Sequence, residues 1–190
     1  MKGEELKKLK LGLGGCMLLL LLLLSAKEDR FQKVISHQTD VEVVSKLETF
    51  HEGGIERSIE HKDYESEKVI SNAFSFIGTP AHFGGLSHKG IDCSGLVMMA
   101  HKSCGVVLPR TAEEQARYGI IIPSMEKLQR GDVVFFYNSY RTSKFITHTG
   151  IYLGENKFIH TSSTKGVVVS RIDDPYFWKE RFLFGTRLGS

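Results

Sequence analysis

The chain has 190 residues, of which 41% are hydrophobic and 25% are charged, and its formal net charge is +3. This length suits one domain with a proper core and leaves too little for two. The ordinary composition argues against a disordered chain and a polytopic membrane protein. The small charge gives no reason to expect a nucleic-acid partner. Cysteines at positions 16, 93 and 104 do not make a disulfide framework.

The amino terminus carries an apolar run, residues 11–26, behind several lysines and ahead of a charged stretch. This layout is typical of a secretory signal, with a cut after Ala26. The run is shorter than the roughly 20 residues that span a bilayer, although flanking lysines that snorkel would let it act as an uncleaved anchor. Leu13-Gly14-Gly15-Cys16 also matches a lipidation pattern, at Cys16. We therefore expect residues 1–26 to be a signal peptide or a membrane or lipid anchor, and the rest to be exported.

Residues 27–65 are charged and are predicted to be a linker with one short amphipathic helix around residues 41–50. Three further helices are predicted after residue 66. Apolar residues recur at helical spacing before Gly78-Thr79-Pro80, which ends the first of them. The second begins near Cys93 and ends at Gly105, and the third is capped by Thr111.

After the third helix, the spacing of hydrophobic residues changes from one typical of helices to one typical of strands. Val133-Val134-Phe135-Phe136-Tyr137 is typical of a buried strand, and further strands are predicted over residues 147–153, 158–162 and 166–170. Helices come first and strands second, without alternation. This order predicts an α+β fold in which amino-terminal helices pack on a mostly antiparallel sheet.

Cys93 has the surroundings of a nucleophile. It follows Asp92, a good helix cap, so its sulfur should lie near the positive end of a helix dipole, which lowers the pKa of a thiol. Glycines on both sides allow a ligand to approach the backbone. A cysteine in such a position can equally be a small core residue, which is how we interpret Cys104.

His148 and His160 are the candidate base and orienting group for this thiol. They fall on two consecutive strands joined near Glu155-Asn156. Side chains two apart along a strand share a face, so the two histidines share a face only when the loop has an odd number of residues or the hairpin contains a bulge. A two-residue loop without a bulge would remove His160 from the site.

A series of motifs resembles the NlpC family of bacterial cell-wall cysteine peptidases, in the order in which that family has them. They are Gly78-Thr79-Pro80, Phe83-Gly84-Gly85, Ile91-Asp92-Cys93-Ser94-Gly95-Leu96-Val97, Leu108-Pro109-Arg110-Thr111, Gly131-Asp132-Val133-Val134, His148-Thr149-Gly150-Ile151 and Phe158-Ile159-His160.

This resemblance implies that residues 66–190 form a papain-like peptidase domain with Cys93, His148 and His160 as nucleophile, base and orienting residue. It implies hydrolysis of amide bonds in peptidoglycan stem peptides or cross-links, in the bacterial envelope. Asp92, Ser94 and Arg110 are the substrate-binding candidates; Arg110 suits a substrate carboxylate but can equally brace the fold.

Several points bear on this function. No metal or cofactor is expected, because zinc-ligand spacing is absent. The family usually has a tyrosine after Gly-Thr-Pro, and this chain has Ala81; His82 and Tyr118 are candidates to replace its hydroxyl. That departure favours one alternative, a wall-binding protein with weak or lost activity. A thiol acyltransferase is the second alternative. A redox protein is disfavoured, since Cys93 has no resolving cysteine in reach.

Overall fold

The computed structural model describes residues 2–59 and 64–189, with side chains from residue 17 onward. Over these ranges the helices are α1 (Lys2–Ser36), α2 (Val41–Glu52), α3 (Ser66–Ser75), α4 (Cys93–Lys102) and α5 (Ala112–Gln115). The strands are β1 (Leu86–Ser87), β2 (Gly90–Ile91), β3 (Ile120–Ile122), β4 (Val133–Tyr137), β5 (Ile146–Gly154), β6 (Lys157–Ser162), β7 (Gly166–Arg171) and β8 (Phe182–Arg187). The lipidation candidate Cys16 lies outside the described side chains.

The predicted linker is largely helical and joins the main core. Phe31, Leu47 and Ile55 are at most 1% exposed and belong to the hydrophobic cluster that packs under the sheet. Their apolar spacing was hidden among charged residues, which face outward. Arg30 pairs with Glu56 through two hydrogen bonds of 2.7 and 2.6 Å, and this pair ties α1 to the segment after α2.

Helix α1 continues through the apolar run without a break. The side chains of residues 17–24 are between 53% and 64% exposed, while Phe31 and Val34 on the same helix are buried. Among the residues that the structure describes, no helix is both long enough and apolar enough to span a bilayer.

The main sheet has six strands in the order β3-β8-β4-β5-β6-β7, and every neighbouring pair is antiparallel. The predicted α+β fold with a mostly antiparallel sheet is therefore confirmed. The four strands predicted from the sequence are β4 to β7. The sequence pattern missed β3 and β8, which complete one side of the sheet, and the short hairpin β1–β2 beside Cys93.

The sheet is buried on both faces, which explains the unbroken apolar run of β4. Phe135 and Ile151 on one face pack with helices α1 to α4 in the main core. Phe136 and Phe158 on the other face form a smaller cluster with the partly buried Trp178. Helix α4 thus lies on one side of the sheet. Phe136, and the strand residues that share its face, point to the other side.

Candidate active site

Cys93 is the first residue of α4, and Asp92 caps that helix. The Asp92 carboxylate accepts hydrogen bonds from the backbone N–H of Gly95 and of Gly84, each 2.7 Å long. One carboxylate therefore fixes both the start of the helix and the glycine turn that precedes the β1–β2 hairpin. Cys93 itself is partly exposed.

Arg110 is held by Asp92 and Ser94. Its guanidinium donates 2.9 Å hydrogen bonds to Asp92 Oδ1 and Ser94 Oγ, and a further short one to Asp92 Oδ2. Burial alone raises the pKa of Asp92, but the hydrogen bonds from Arg110, Gly95 and Gly84 outweigh it and hold this pKa below its ordinary value. The three substrate-binding candidates are thus brought together, and each has another of them as a partner. Gln115 extends this network, because its side-chain amide donates a 2.9 Å hydrogen bond to the Ser94 carbonyl oxygen.

His148 and His160 are in direct contact. His148 Nε2 lies 2.9 Å from His160 Nδ1, and His160 Nε2 lies 2.9 Å from the hydroxyl oxygen of Ser170 on β7. The exposed fraction is 7% for His148 and 1% for His160. Three polar groups on three consecutive strands therefore form one hydrogen-bonded row, in which both histidines are buried and Ser170 is half-buried. Ser170 was missed by sequence reasoning, although it lies on the neighbouring strand β7 and its side chain shares a face of the sheet with that of His160.

A bulge puts the two histidines on the same face. The turn between β5 and β6 has two residues, Glu155 and Asn156, both with positive φ. The register shifts between Tyr152 and Gly154, so that Leu153 is the extra residue. The prediction was an odd-length loop or a bulge, and the structure has the bulge with a two-residue turn.

Strands β5 and β6 separate beside the histidines. Their ladder runs from Gly154↔Lys157 to Ile151↔Ile159 and does not continue toward His148. The N–H of Tyr152 points toward β4, where it donates to Asp132. Because N–H groups alternate along a strand, the N–H of Thr149 points into the space between β5 and β6.

The thiol of Cys93 lies within hydrogen-bonding reach of this N–H. The backbone N–H of Thr149, the residue after His148, is one of the groups that hydrogen-bond to the thiol and lower its pKa. A cysteine on the helix side of the sheet thereby reaches the backbone that carries His148, whose ring belongs to the opposite side.

Aromatic rings enclose the two imidazoles. Trp178 lies 4.9 Å from the His148 ring and 4.8 Å from the His160 ring, centroid to centroid, and Phe158 stacks on His160 at 4.5 Å. The sequence suggested only a core role for Trp178; its contacts add that it shields both histidines. Gly150 leaves the space these rings need, because a Cβ there would stand 2.6 Å from the Ile159 carbonyl oxygen and 3.1 Å from the Cβ of His160.

Burial disfavours the charged forms of these groups. It raises the pKa of the Cys93 thiol to about 11, and the charge of Asp92 acts in the same direction. Burial also lowers the pKa of His148, which the neighbouring His160 lowers further, and it lowers that of His160 to about 4. The expectation of a lowered thiol pKa at the helix terminus is thus not met, since desolvation and the charge of Asp92 outweigh the backbone hydrogen bonds that favour the thiolate.

Ala81 lies at the edge of this region. It is exposed, and its backbone forms an isolated bridge with Ile91, two residues before Cys93. Tyr118, one of the two suggested substitutes for the missing hydroxyl, instead lies under the guanidinium of Arg57, with the guanidinium carbon 6.0 Å from the ring centroid. His82, the other, is exposed and donates its backbone N–H to Ile91.

Comparisons with known proteins agree on one family. The sequence model of the NlpC/P60 family matches residues 78–187. The chain is 35% identical over 128 residues to "Murein DD-endopeptidase MepS/Murein LD-carboxypeptidase" of Escherichia coli (strain K12), a match that covers 67% of this chain and 64% of that protein. The chain thus spans just under two thirds of the length of this curated relative.

Solved structures agree in fold. An NlpC/P60 family protein from Bacillus cereus superposes with a TM-score of 0.60 at 27% identity, covering 68% of this chain and 42% of that one. The peptidoglycan hydrolase RipB from Mycobacterium tuberculosis gives a TM-score of 0.55 at 30% identity, covering 66% of this chain and 65% of that one.

Proposed function

Because the chain belongs to the NlpC/P60 family, we propose that it is a cysteine peptidase that hydrolyses amide bonds in peptidoglycan stem peptides or their cross-links. The observation that carries this proposal is the hydrogen-bonded row His148–His160–Ser170, whose two histidines are buried, together with the hydrogen bond from the backbone N–H next to His148 to the Cys93 thiol. The names of the relatives, a murein endopeptidase and a peptidoglycan hydrolase, support the substrate class.

The row of hydrogen bonds suggests one arrangement of protons. When His148 carries its proton on Nε2, it donates to His160 Nδ1, and His160 donates from Nε2 to the Ser170 hydroxyl. The second nitrogen of His148, Nδ1, is then a lone-pair acceptor that can take the thiol proton. His160 acts as the positioning residue, since it selects the tautomer and the ring orientation of His148.

The reaction follows the usual course for a thiol nucleophile. Cys93 attacks the scissile carbonyl carbon while its proton passes to His148, and backbone N–H groups at the start of α4 stabilise the oxyanion. His148 then protonates the leaving amine. The same imidazole activates a water molecule, which releases the acyl group from sulfur and restores the thiol.

The resting site holds a neutral thiol and a neutral imidazole. A thiolate alone or an imidazolium alone is disfavoured by burial. Transfer of the proton creates both charges together, so that their mutual attraction offsets the desolvation that each would suffer alone. The proton therefore passes directly from the thiol to the imidazole, so that neither group is charged without the other.

Asp92, Ser94 and Arg110 are assigned to positioning and not to direct contact with the substrate. The guanidinium of Arg110 is already directed at Asp92 and Ser94, which supports the bracing role considered above. The network fixes the first turn of α4, and with it the direction of the oxyanion-binding N–H groups.

We place this activity in the bacterial cell envelope, with residues 1–26 as export signal or anchor. The exposed apolar side chains of residues 17–24 on α1 support a role outside the folded core. Intact mass of the protein recovered from the membrane and soluble fractions tests this: cleavage after Ala26 and a lipid on Cys16 give different masses, and an unmodified protein found only in the cytoplasm would contradict export.

The experiment that tests the peptidase function uses the full chain under reducing conditions. Purified protein is incubated with peptidoglycan or a defined stem peptide, and new termini are identified by mass spectrometry. Wild type is expected to produce them, Cys93→Ser and His148→Ala to produce none, and His160→Ala to be slowed by about 10²-fold or more through loss of orientation.

The same digestion separates the alternatives. Bound peptidoglycan without any new termini would favour the wall-binding protein that Ala81 suggests. Transfer of the acyl group to an added amine in preference to water would favour an acyltransferase. Equal activity of wild type and Cys93→Ser would refute the mechanism.

A further inference from the structure

The hydrogen-bonded row of the site continues past the two histidines to a hydroxyl group. His160 Nε2 lies 2.9 Å from Ser170 Oγ, and His148 Nε2 lies 2.9 Å from His160 Nδ1. Ser170 pairs with Phe158 across β6 and β7, so its side chain is the diagonal neighbour of His160 on the same face of the sheet. Ser170 is therefore in direct contact with the ring that orients His148.

Ser170 lies where the row meets solvent. Strand β7 is at one end of the sheet. It is held in place there, because the N–H of Gly78 donates to the Val167 carbonyl oxygen and the N–H of Val167 donates to the Thr79 carbonyl oxygen, both over 2.9 Å. Ser170 is half-buried, whereas His160 is buried. The hydroxyl can therefore give its own proton to water and keep its oxygen lone pairs for His160.

The aromatic rings around His160 fix its position but do not decide which nitrogen carries its proton. Phe158 stacks on the ring with centroids 4.5 Å apart, and Trp178 meets it edge-on at 4.8 Å. Burial lowers the pKa of His160 to about 4, so the neutral ring carries a single proton at pH 7. The groups at its two nitrogens, which belong to His148 and Ser170, therefore determine where that proton lies.

Two arrangements of protons satisfy the row. In the first, His148 Nε2 donates to His160 Nδ1 and His160 Nε2 donates to Ser170, which leaves a lone pair on His148 Nδ1. In the second, every hydrogen bond runs the other way: Ser170 donates to His160, His160 donates to His148 Nε2, and His148 carries its proton on Nδ1. Only the first arrangement provides a base for the thiol proton.

We propose that Ser170 is a positioning residue that accepts the Nε2 proton of His160 and thereby keeps the lone pair of His148 on Nδ1, where it can take the thiol proton. This inference rests on the proposed hydrolysis at Cys93. When His148 takes the thiol proton, its positive charge strengthens its hydrogen bond to His160, which in turn strengthens that from His160 to Ser170. Ser170 thus stabilises the imidazolium as it forms, without contact with the substrate.

The test compares three variants of the full chain on a defined stem peptide. Ser170→Ala removes the acceptor and is expected to lower kcat by about 10-fold, with little change in KM. Ser170→Thr retains a hydroxyl and should keep most of the wild-type kcat. Val168→Ala is the matched control, because Val168 lies directly opposite His160 on the same strand as Ser170 and its side chain forms no hydrogen bond. It should keep the wild-type kcat.

The chemical shifts of the ring nitrogens supply a readout that a loss of packing alone does not move. In protein labelled with ¹⁵N-histidine, NMR spectra distinguish the nitrogen that carries the proton from the one that carries the lone pair. Both His148 and His160 are expected to be protonated on Nε2 at neutral pH in wild type, in Ser170→Thr and in Val168→Ala. In Ser170→Ala the two tautomers should be mixed in both rings.

The outcomes that overturn the inference differ from those that overturn the proposed function. Wild-type kcat in Ser170→Ala, or unchanged tautomers in that variant, overturns the role of Ser170 and leaves the peptidase function standing. An equal loss of kcat in Val168→Ala, or no recovery in Ser170→Thr, shows an effect of packing and likewise overturns it. A wild type that cleaves no peptide overturns the proposed hydrolysis. The nitrogen spectra, which need no turnover, then decide alone whether Ser170 holds the tautomer.

Discussion

His101 gives the fold a dependence on pH whose size follows from its surroundings. It is fully buried near the end of α4, with Nδ1 2.7 Å from the Val97 carbonyl oxygen and Nε2 3.4 Å from the Tyr64 hydroxyl. Burial lowers the pKa of His101 from 6.5 to about 4. The unfolded chain therefore binds a proton at a pH where the folded protein does not. This contribution to stability is complete above about pH 6.5 and is lost as the pH falls toward 4.

The magnitude can be worked out from the two pKa values. Their difference corresponds to about 3 kcal/mol when both states have passed through titration, of which about 2 kcal/mol is lost by pH 5. We therefore expect His101→Phe to lose about 2 kcal/mol less stability than wild type between about pH 7.5 and pH 5. His148 and His160, which are also buried, remain in both proteins, so their contributions cancel in the comparison.

Urea unfolding followed by circular dichroism at the two pH values measures this difference. His101→Leu is the matched second variant, because it removes the same titration with a different shape. Stability at neutral pH can differ between the variants, since Phe and Leu pack differently. The flattening of the pH dependence should be the same in both. Variants that lose as much stability as wild type on acidification would refute the assignment to His101.

Two further predictions concern the site. At neutral pH the ultraviolet difference spectrum between wild type and Cys93→Ser should show no thiolate band, which should develop only as the pH approaches about 11; a full thiolate band at pH 7 would contradict the neutral resting pair. Gly150→Ala should lower both kcat and the free energy of unfolding, the latter by about 1–3 kcal/mol, because its Cβ would meet the Ile159 carbonyl oxygen at 2.6 Å. Turnover and urea unfolding measure the two effects, and a variant with wild-type values would show that β6 yields without harm to His160.

Local patterns predicted the parts of the fold that local physics controls. The apolar run of β4 and the capping role of Asp92 are both found in the structure. For His148 and His160 to share a face, the sequence predicted an odd-length loop or a bulge, and the register of β5 and β6 contains a bulge. Each of these features follows from local rules, namely the alternation of side chains along a strand and the preference of Asp for helix caps.

Features that depend on distant contacts were not predicted. The strand β8 has little apolar alternation, because Gly185 and Thr186 interrupt it, and its place between β3 and β4 is fixed only by pairing. The raised pKa of Cys93 depends on how the surrounding protein excludes water, which no spacing of residues reveals.

The helices before the family-matched region determine where the protein can be shortened. Phe50 lies 6.0 Å from Phe184, ring centroid to ring centroid, and Glu56 accepts a hydrogen bond of 2.8 Å from the N–H of Ile121 on β3. A fragment starting at residue 66 would expose the apolar surface of the core that α1 and α2 cover, and we expect such a fragment to self-associate. Removing residues 1–26 would leave these contacts intact. We therefore expect the smallest fragment that folds stably to begin well before residues 78–187, the region that the family model matches.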